Sequence, residues 1–432
     1  MIKPVGATCN LRCAYCYYLP VAESYATPAE RMPLETLESI LAGYLPEAPD
    51  QVTLSWQGGE PTLAGLPWFE KMIELIEMHR RSHQTVNHCL QTNGTLLDDK
   101  WGAFLRRHRF LVGLSLDGLL RDHDHYRVDR QDRGTYQRVL DGRAILLKHG
   151  VEHNFLVVLN DRNVERPREV WRQLLALRAD WVQFIPAVEW IRPGAEEAGG
   201  EATDAWRVAP FSPTGEAFGR FLCHVFDDWF AHHRTRVSVR LFDAILGLLV
   251  QGRATECTYA ESCAGQLTLE HDGGVYGCDH FVEPAWQLGR VSPPIRLTRE
   301  GRPLGGAAAT GNVGPRLDRD WMQRLDADRF ERFGRRKLEL DVTCLQCDYR
   351  RVCHGGCPKH RPARGDRPGL NVLCDGYRAF FAHALPRLEW LAQHLRRGET
   401  PPVQAPAALS PRSVRTKTFK PRPRTKSRRK RR

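Results

Sequence analysis

The sequence predicts an α/β protein built on a parallel sheet, followed by a smaller cysteine-rich region. Three observations carry this. Strand-like and helix-like segments alternate through the first half of the 432 residues. Polar and glycine-rich stretches fall just after the strand-like runs. Eight of the thirteen cysteines lie between Cys257 and Cys374.

Runs of β-type composition stand at 2–7 (IKPVGA), 52–56, 88–92, 111–117, 155–160 and 181–186. Between them lie segments of helical spacing. At 33–45, Pro33 suits a first helical turn, and Leu34, Leu37, Ile40, Leu41 and Tyr44 share one face. Others cover roughly 66–82, 97–107, 134–149 and 165–178. Six β-then-α units imply parallel strands joined by helical crossovers. A (β/α) barrel, partial or complete, and a doubly wound sheet both fit this pattern. CNLRC follows the first strand, QGGEP the second, TNGT the third and LDG the fourth. Both architectures build their sites at the carboxyl ends of the strands, so these four loops should face one cavity.

Beyond a Gly-, Ala- and Glu-rich loop at 193–204, segments 214–233 and 240–251 read as two linking helices. LTLEHDGGVYGCD (267–279) reads as a hairpin around Asp272-Gly273-Gly274. Residues 301–315 read as a flexible insertion, and 376–397 as a final helix. The Pro-, Arg- and Lys-rich tail cannot bury a core and is expected to be disordered. The expected division is 1–200 for the sheet and its helices, 201–252 for the linking helices, 253–397 for the cysteine-rich domain and 398–432 for the basic tail.

The net charge of +12 belongs to the tail: residues 401–432 hold twelve Lys or Arg and no acid, and residues 1–400 carry 51 charges of each sign. A nucleic-acid partner is therefore not expected, except through the tail. No apolar run reaches the ~18 residues of a membrane span, and no secretory signal is evident. A cytoplasmic, reducing compartment is expected, where clustered cysteines act as metal ligands or catalysts. Cys89 and Cys223 have no partner at metal spacing and read as buried free thiols.

Cys9, Cys13 and Cys16 pose the central question, because three soft ligands fall within eight residues. A cubane iron–sulfur cluster usually takes four thiolates. Three would leave one iron open, as a catalytic zinc keeps a position for water or substrate. A zinc knot completed by a His or a distant Cys is the other reading. The CxxxCxxC spacing just after a first strand, with Tyr15 before the third cysteine, resembles the radical S-adenosylmethionine superfamily. There the open iron chelates the cofactor's amino and carboxylate groups. That resemblance implies that Gly58, Gly59 and Glu60 of WQGGEP hold the methionine amino group. It also implies cofactor contacts from Tyr15, Ser115 and Arg127, the last gripping the carboxylate, and from the Val182 backbone against the adenine. Gln57, at the strand end, is expected to orient substrate.

The later cysteines run Cys257-x5-Cys263-x14-Cys278 and Cys344-x2-Cys347-x5-Cys353-x3-Cys357-x16-Cys374. Eight thiolates suffice for two closed cubanes or two zinc sites, and spacing alone favours zinc. Together with the first motif, however, the arrangement resembles the SPASM extension of radical enzymes that modify peptides. By that resemblance Cys257, Cys263, Cys278 and Cys357 hold one auxiliary cluster, and Cys344, Cys347, Cys353 and Cys374 the other. The first region would then be a partial (β/α)6 barrel, and the protein would carry three [4Fe-4S] clusters.

IKPxGxxCNLRCxYCYY, WQGGEP, QTNG, LSLDG, QFIP and Cys278-Asp279 occur in that order over about residues 2 to 390. This set resembles the anaerobic sulfatase-maturating enzymes, in which a Cys-Asp pair supplies the general base, here Asp279. The resemblance implies a 5′-deoxyadenosyl radical that takes hydrogen from the Cβ of a Cys or Ser in a sulfatase polypeptide. Asp279 then removes the thiol or hydroxyl proton and the product is Cα-formylglycine. An electron donor such as a flavodoxin or ferredoxin is implied as a partner. Another SPASM peptide maturase is the first alternative, and a zinc protein binding nucleic acid through its tail the second. The tail has no expected counterpart in the family, and the short lead before the first strand leaves open a start codon further upstream.

Overall fold

The computed structural model describes residues 1–25, 31–191, 206–263, 265–292, 317–364, 367–402 and 406. The loop at 193–204, the insertion at 301–315 and nearly all of the tail beyond 402 lie outside them.

Five of the expected strands form: β1 (Gln51–Trp56), β2 (Thr85–Thr92), β3 (Leu111–Ser115), β4 (His153–Leu159) and β5 (Trp181–Pro186). They pair in parallel in chain order, and Ser238–Val239 adds a short sixth strand beside β5. Unbroken sequential order separates the two architectures left open by periodicity. A doubly wound sheet reverses its strand order at a switch point, whereas a barrel adds each strand on the same side of the last. The sheet is thus a partial (β/α) barrel. The helix α1 (Leu34–Tyr44) leads into β1, and the crossovers are α2 (Leu66–His79), α3 (Asp99–Arg107), α4 (Leu120–Tyr126), α5 (Tyr136–His149) and α6 (Pro167–Ala176).

The expected strand at 2–7 does not form. Pro4 lacks the N–H a ladder requires, and Gly6 takes φ +53°, which turns the chain. Only Ile2 bridges, to Trp56 on one side and to Leu269 on the other. The sixth strand, Ser238–Val239, was missed because two residues between helices carry no period. Ile2 thereby joins the barrel to a small antiparallel sheet of Thr268–Leu269, Gly274–Tyr276 and Gln287–Arg290. The hairpin turns where expected, with the Gly274 N–H donating to Asp272 Oδ1 at 2.9 Å.

Helices α7 (Gly215–Asp228) and α8 (Arg240–Gln251) link the barrel to the cysteine-rich region and pack against the helix Cys374–Arg396. Phe218, Phe226 and Phe242 of the first two meet Tyr377 and Phe380 of the last. The backbones approach closely at glycines: a Cβ on Gly376 would lie 2.1 Å from the Gly215 carbonyl oxygen. Cys223 lies on α7 and Cys89 on β2, each partly rather than fully buried.

Gly376→Ala is expected to lower stability by about 1–3 kcal/mol, since the clash is with backbone and no rotamer relieves it. Gly247→Ala, inside α8, meets only Thr255 Cγ2 at 3.9 Å and should gain about 0.5–1 kcal/mol from reduced chain entropy. Chemical-denaturation midpoints of the two variants should move in opposite directions.

Candidate active site

The loop carrying Cys9, Cys13 and Cys16 hangs between two neighbours. On one side the Gly59 N–H donates to Gly6 O at 2.7 Å and the Glu60 N–H to Thr8 O at 2.8 Å. A Cβ on Gly59 would sit 1.9 Å from Thr8 O. These glycines therefore admit the cysteine loop's own backbone, where the sequence suggested close approach to a ligand. On the other side the Arg12 N–H donates to Val128 O and the Ala14 N–H to Tyr126 O, at 2.9 and 3.2 Å. Burial pushes the thiols of Cys9 and Cys13 up to about 12, and raises that of Cys16.

Glu60 is fully buried. Its Oε1 accepts from the Thr62 N–H and hydroxyl and the Thr92 hydroxyl, and its Oε2 from the Asn93 N–H at 2.7 Å. The carboxylate thus locks the loop after β1 to the loop after β2. Asn93 passes this on through Asn10 Oδ1 at 2.9 Å to the cysteine loop. Burial still pushes the Glu60 carboxyl up, against hydrogen bonds that favour the anion. Gln57 follows the end of β1, its N–H bonded to Ile2 O at 3.1 Å.

Ser115 ends β3, and Asp117 just beyond it is the hub of this wall. Asp117 Oδ2 accepts from the Tyr15 hydroxyl and from Arg127 Nε (3.0 Å), and its Oδ1 accepts from the Val158 N–H at 3.0 Å. Arg127 is thus paired with the buried aspartate of LSLDG. Its guanidinium lies over the Tyr15 ring at 5.4 Å, and its positive charge works against the desolvation that raises the Cys13 thiol. Val182 is not brought to this wall. It is 1% exposed, its side chain in the hydrophobic core, and it is in register with Phe155 and Val239 at the amino end of β5. The residue beyond β5 that does reach the site is Ala187, packed with Tyr15 and Tyr126 beside Cys13. Hydropathy could not show which residue after a strand faces the cavity.

The eight later cysteines gather into two sets. The thiols of Cys257, Cys263, Cys278 and Cys357 are electrostatic neighbours of one another. Cys344, Cys347, Cys353 and Cys374 line one pocket with Tyr377 and Phe381. Among the described residues no three His, Cys, Asp or Glu close on the single point one metal ion would occupy. A recurring backbone feature bears on what the thiols can hold. The N–H two residues on donates to the sulfur of Cys9 at 3.4 Å and of Cys278 at 3.5 Å. Donors aimed at sulfur favour the thiolate and so suit an iron–sulfur group.

Asp279 ties the two regions together. Its Oδ2 accepts from the Tyr17 hydroxyl at 2.7 Å and faces Lys3 Nζ at 3.5 Å. Tyr17 neighbours Cys16 in the chain, and Cys278 precedes Asp279, so the carboxylate stands between the first cysteine loop and one of the later sets. Burial alone would raise its pKa, but Lys3, His280 and the Tyr17 hydrogen bond outweigh this and hold it well below the usual carboxylate range. The hairpin turn is capped by Asp272, not by Asp279. Lys3 is 0% exposed, its ammonium 4.4 Å over the Tyr18 ring. Nothing local in IKPVGA marks its lysine as buried.

A partial barrel with a three-cysteine loop at the carboxyl ends of its strands defines a radical S-adenosylmethionine protein, and the model of that superfamily matches residues 4–174. A serine-type anaerobic sulfatase-maturating enzyme of Bacteroides thetaiotaomicron is 34% identical over 409 residues, 93% of this chain and 92% of that protein. A cysteine-type enzyme of Clostridium perfringens is 30% identical over 400 residues, 92% and 98% of the two chains. The solved structure of native anSMEcpe with bound AdoMet and Cp18Cys peptide superposes with a TM-score of 0.76 at 30% identity, covering 91% of this chain and 98% of that one. This chain belongs to the anaerobic sulfatase-maturating enzymes. Among the described residues no helix is long and apolar enough to cross a membrane.

Asp117→Asn should cost about 3–5 kcal/mol by leaving the Arg127 charge buried and unpaired. Adding Arg127→Met should recover much of that loss, which unfolding midpoints of the single and double variants would measure.

Proposed function

We propose that this chain oxidises a Cys or Ser residue of a sulfatase polypeptide to Cα-formylglycine, as a radical S-adenosylmethionine enzyme. The observation that carries the reading is the placement of Asp279, a buried carboxylate held between the first cysteine loop and a later cysteine set. Cys9, Cys13 and Cys16 would hold the cluster with an open iron. Cys257, Cys263, Cys278 and Cys357 would hold one auxiliary [4Fe-4S] cluster, and Cys344, Cys347, Cys353 and Cys374 the other. When bound, the clusters and S-adenosyl-L-methionine supply a 5′-deoxyadenosyl radical and a route for electrons.

The protein's own residues do the rest. Tyr15 and Asp117 fix Arg127, which with Ser115 would bind the cofactor, Arg127 through its carboxylate. Gly58 and Gly59 let the strand end and the cysteine loop meet, and Glu60 braces that junction. Gln57 would orient the target residue. Asp279 would take the proton from the target thiol or hydroxyl. Lys3 and Tyr17 keep it unprotonated at neutral pH and fix the oxygen it presents. An external donor, a flavodoxin or ferredoxin, would supply electrons, and a reducing cytoplasmic setting suits so many thiolate ligands. The division into barrel (1–200), linking helices (201–252), auxiliary-cluster domain (253–397) and tail (398–432) fits these roles.

The test is anaerobic reconstitution with iron and sulfide. S-adenosylmethionine, a strong reductant and sulfatase-site peptides bearing either Cys or Ser are then added. Peptide aldehyde formed in step with 5′-deoxyadenosine is the expected result, and 5′-deoxyadenosine without change in either peptide would remove the sulfatase reading. In Asp279→Asn, 5′-deoxyadenosine should still form while peptide aldehyde falls by about 10²–10⁴-fold. An equal loss of both products would assign Asp279 to holding the structure together.

A further inference from the structure

We propose that Lys337 is the buried countercharge of the centre formed by Cys257, Cys263, Cys278 and Cys357, and that it raises that centre's reduction potential. The inference rests on the reading of those cysteines as cluster ligands.

Lys337 follows the helix Ala327–Arg335 and is 1% exposed. Lysine is almost never this buried unless paired. Its ammonium donates to the carbonyl oxygens of Cys257 and, at 2.8 Å, Thr258. Those two bonds pin it to the first ligand of the set and leave one of its three donors free. Its electrostatic neighbours are the thiols of Cys263, Cys257 and Cys357. The anion that would pair with this cation is therefore the thiolate set itself.

The residue before it points the same way. Arg336 stacks over Phe281 and Trp286 at 4.3 and 4.4 Å, beside Cys263 and Cys357, and its Nη1 is buried without a hydrogen-bond partner. Arg361, also near these thiols, differs. Its guanidinium is taken up by the carbonyl oxygens of Gly355, Lys337, Glu339, His354 and Gly356. Lys337 is the cation fixed at the ligand loop. A fixed positive charge favours the more negative, reduced state of a cluster beside it and so raises its potential.

The experiment is a redox titration of the reconstituted full chain followed by electron paramagnetic resonance, with iron content measured alongside. Wild type is compared with Lys337→Met, Lys337→Gln and Lys337→Arg, and the signal absent from Cys263→Ala identifies the centre. The neutral variants should lower that centre's potential by a tenfold change in its reduction equilibrium, about 59 mV for one electron. Lys337→Arg should stay near wild type. Loss of this centre's iron in both neutral variants, with retention in Lys337→Arg, would equally support a countercharge. An unchanged potential at full iron content would overturn the proposal, as would equal iron loss in all three variants. A wild-type protein that takes up no iron would instead sink the cluster reading beneath it.

Discussion

The short backbone seam at Ile2 and Lys3 sets where everything else in the site can be. The Ile2 N–H donates to Ser55 O at 2.8 Å on the barrel side, and the Lys3 N–H to Leu269 O at 2.9 Å on the hairpin side. One extended residue thus serves two sheets. The chain then turns through Gly6 into the cysteine loop, while the hairpin it has just paired leads to Cys278 and Asp279. Lys3 adds a buried charge aimed at Asp279 across that seam. A buried ion pair of this kind adds little net stability, but removing one partner strands the other without water. Its contribution is therefore to position: it holds the carboxylate, Tyr17 and the cysteine loop in one arrangement.

Three buried carboxylates line the same region, and each is satisfied differently. Glu60 is met by neutral donors only, and burial pushes its carboxyl up. Asp117 is bound by a guanidinium and a phenol, with a backbone N–H on its second oxygen. Asp279 has an ammonium and a phenol and is held well below the usual range. Environments that differ this much let chemically similar groups take unlike roles. Glu60 braces two loops, Asp117 orients an arginine, and Asp279 is left as the anion at the junction of the two regions.

The cysteine-rich region meets a different physical demand. Desolvation raises the thiol pKa values of Cys353, Cys357 and Cys374, each of them partly buried. Holding them as thiolates takes a metal group, sulfur-directed N–H donors and nearby positive charge. The last two are built into the chain, through the His280 N–H on the sulfur of Cys278 and through Lys337, Arg336 and Arg361. Small glycine-mediated contacts between α7 and the helix Cys374–Arg396 set this region firmly against the barrel.

The sequence by itself determined the alternation of strands and helices, the three-cysteine loop near the start of the chain, the eight later cysteines and the Cys278-Asp279 pair. Spacing carries those features, because each depends on residues close together in the chain. Tertiary structure alone chose the barrel over the doubly wound sheet, since strand order is a matter of pairing rather than period. It also replaced the strand at 2–7 by a single bridging residue and put Ala187 rather than Val182 beside Tyr15. Only the fold could assign Lys3 to Asp279, 276 positions away, or Lys337 to the carbonyl oxygens of Cys257 and Thr258. A charge or thiol becomes a partner through burial and proximity, and neither is written in the local pattern of residues that surrounds it.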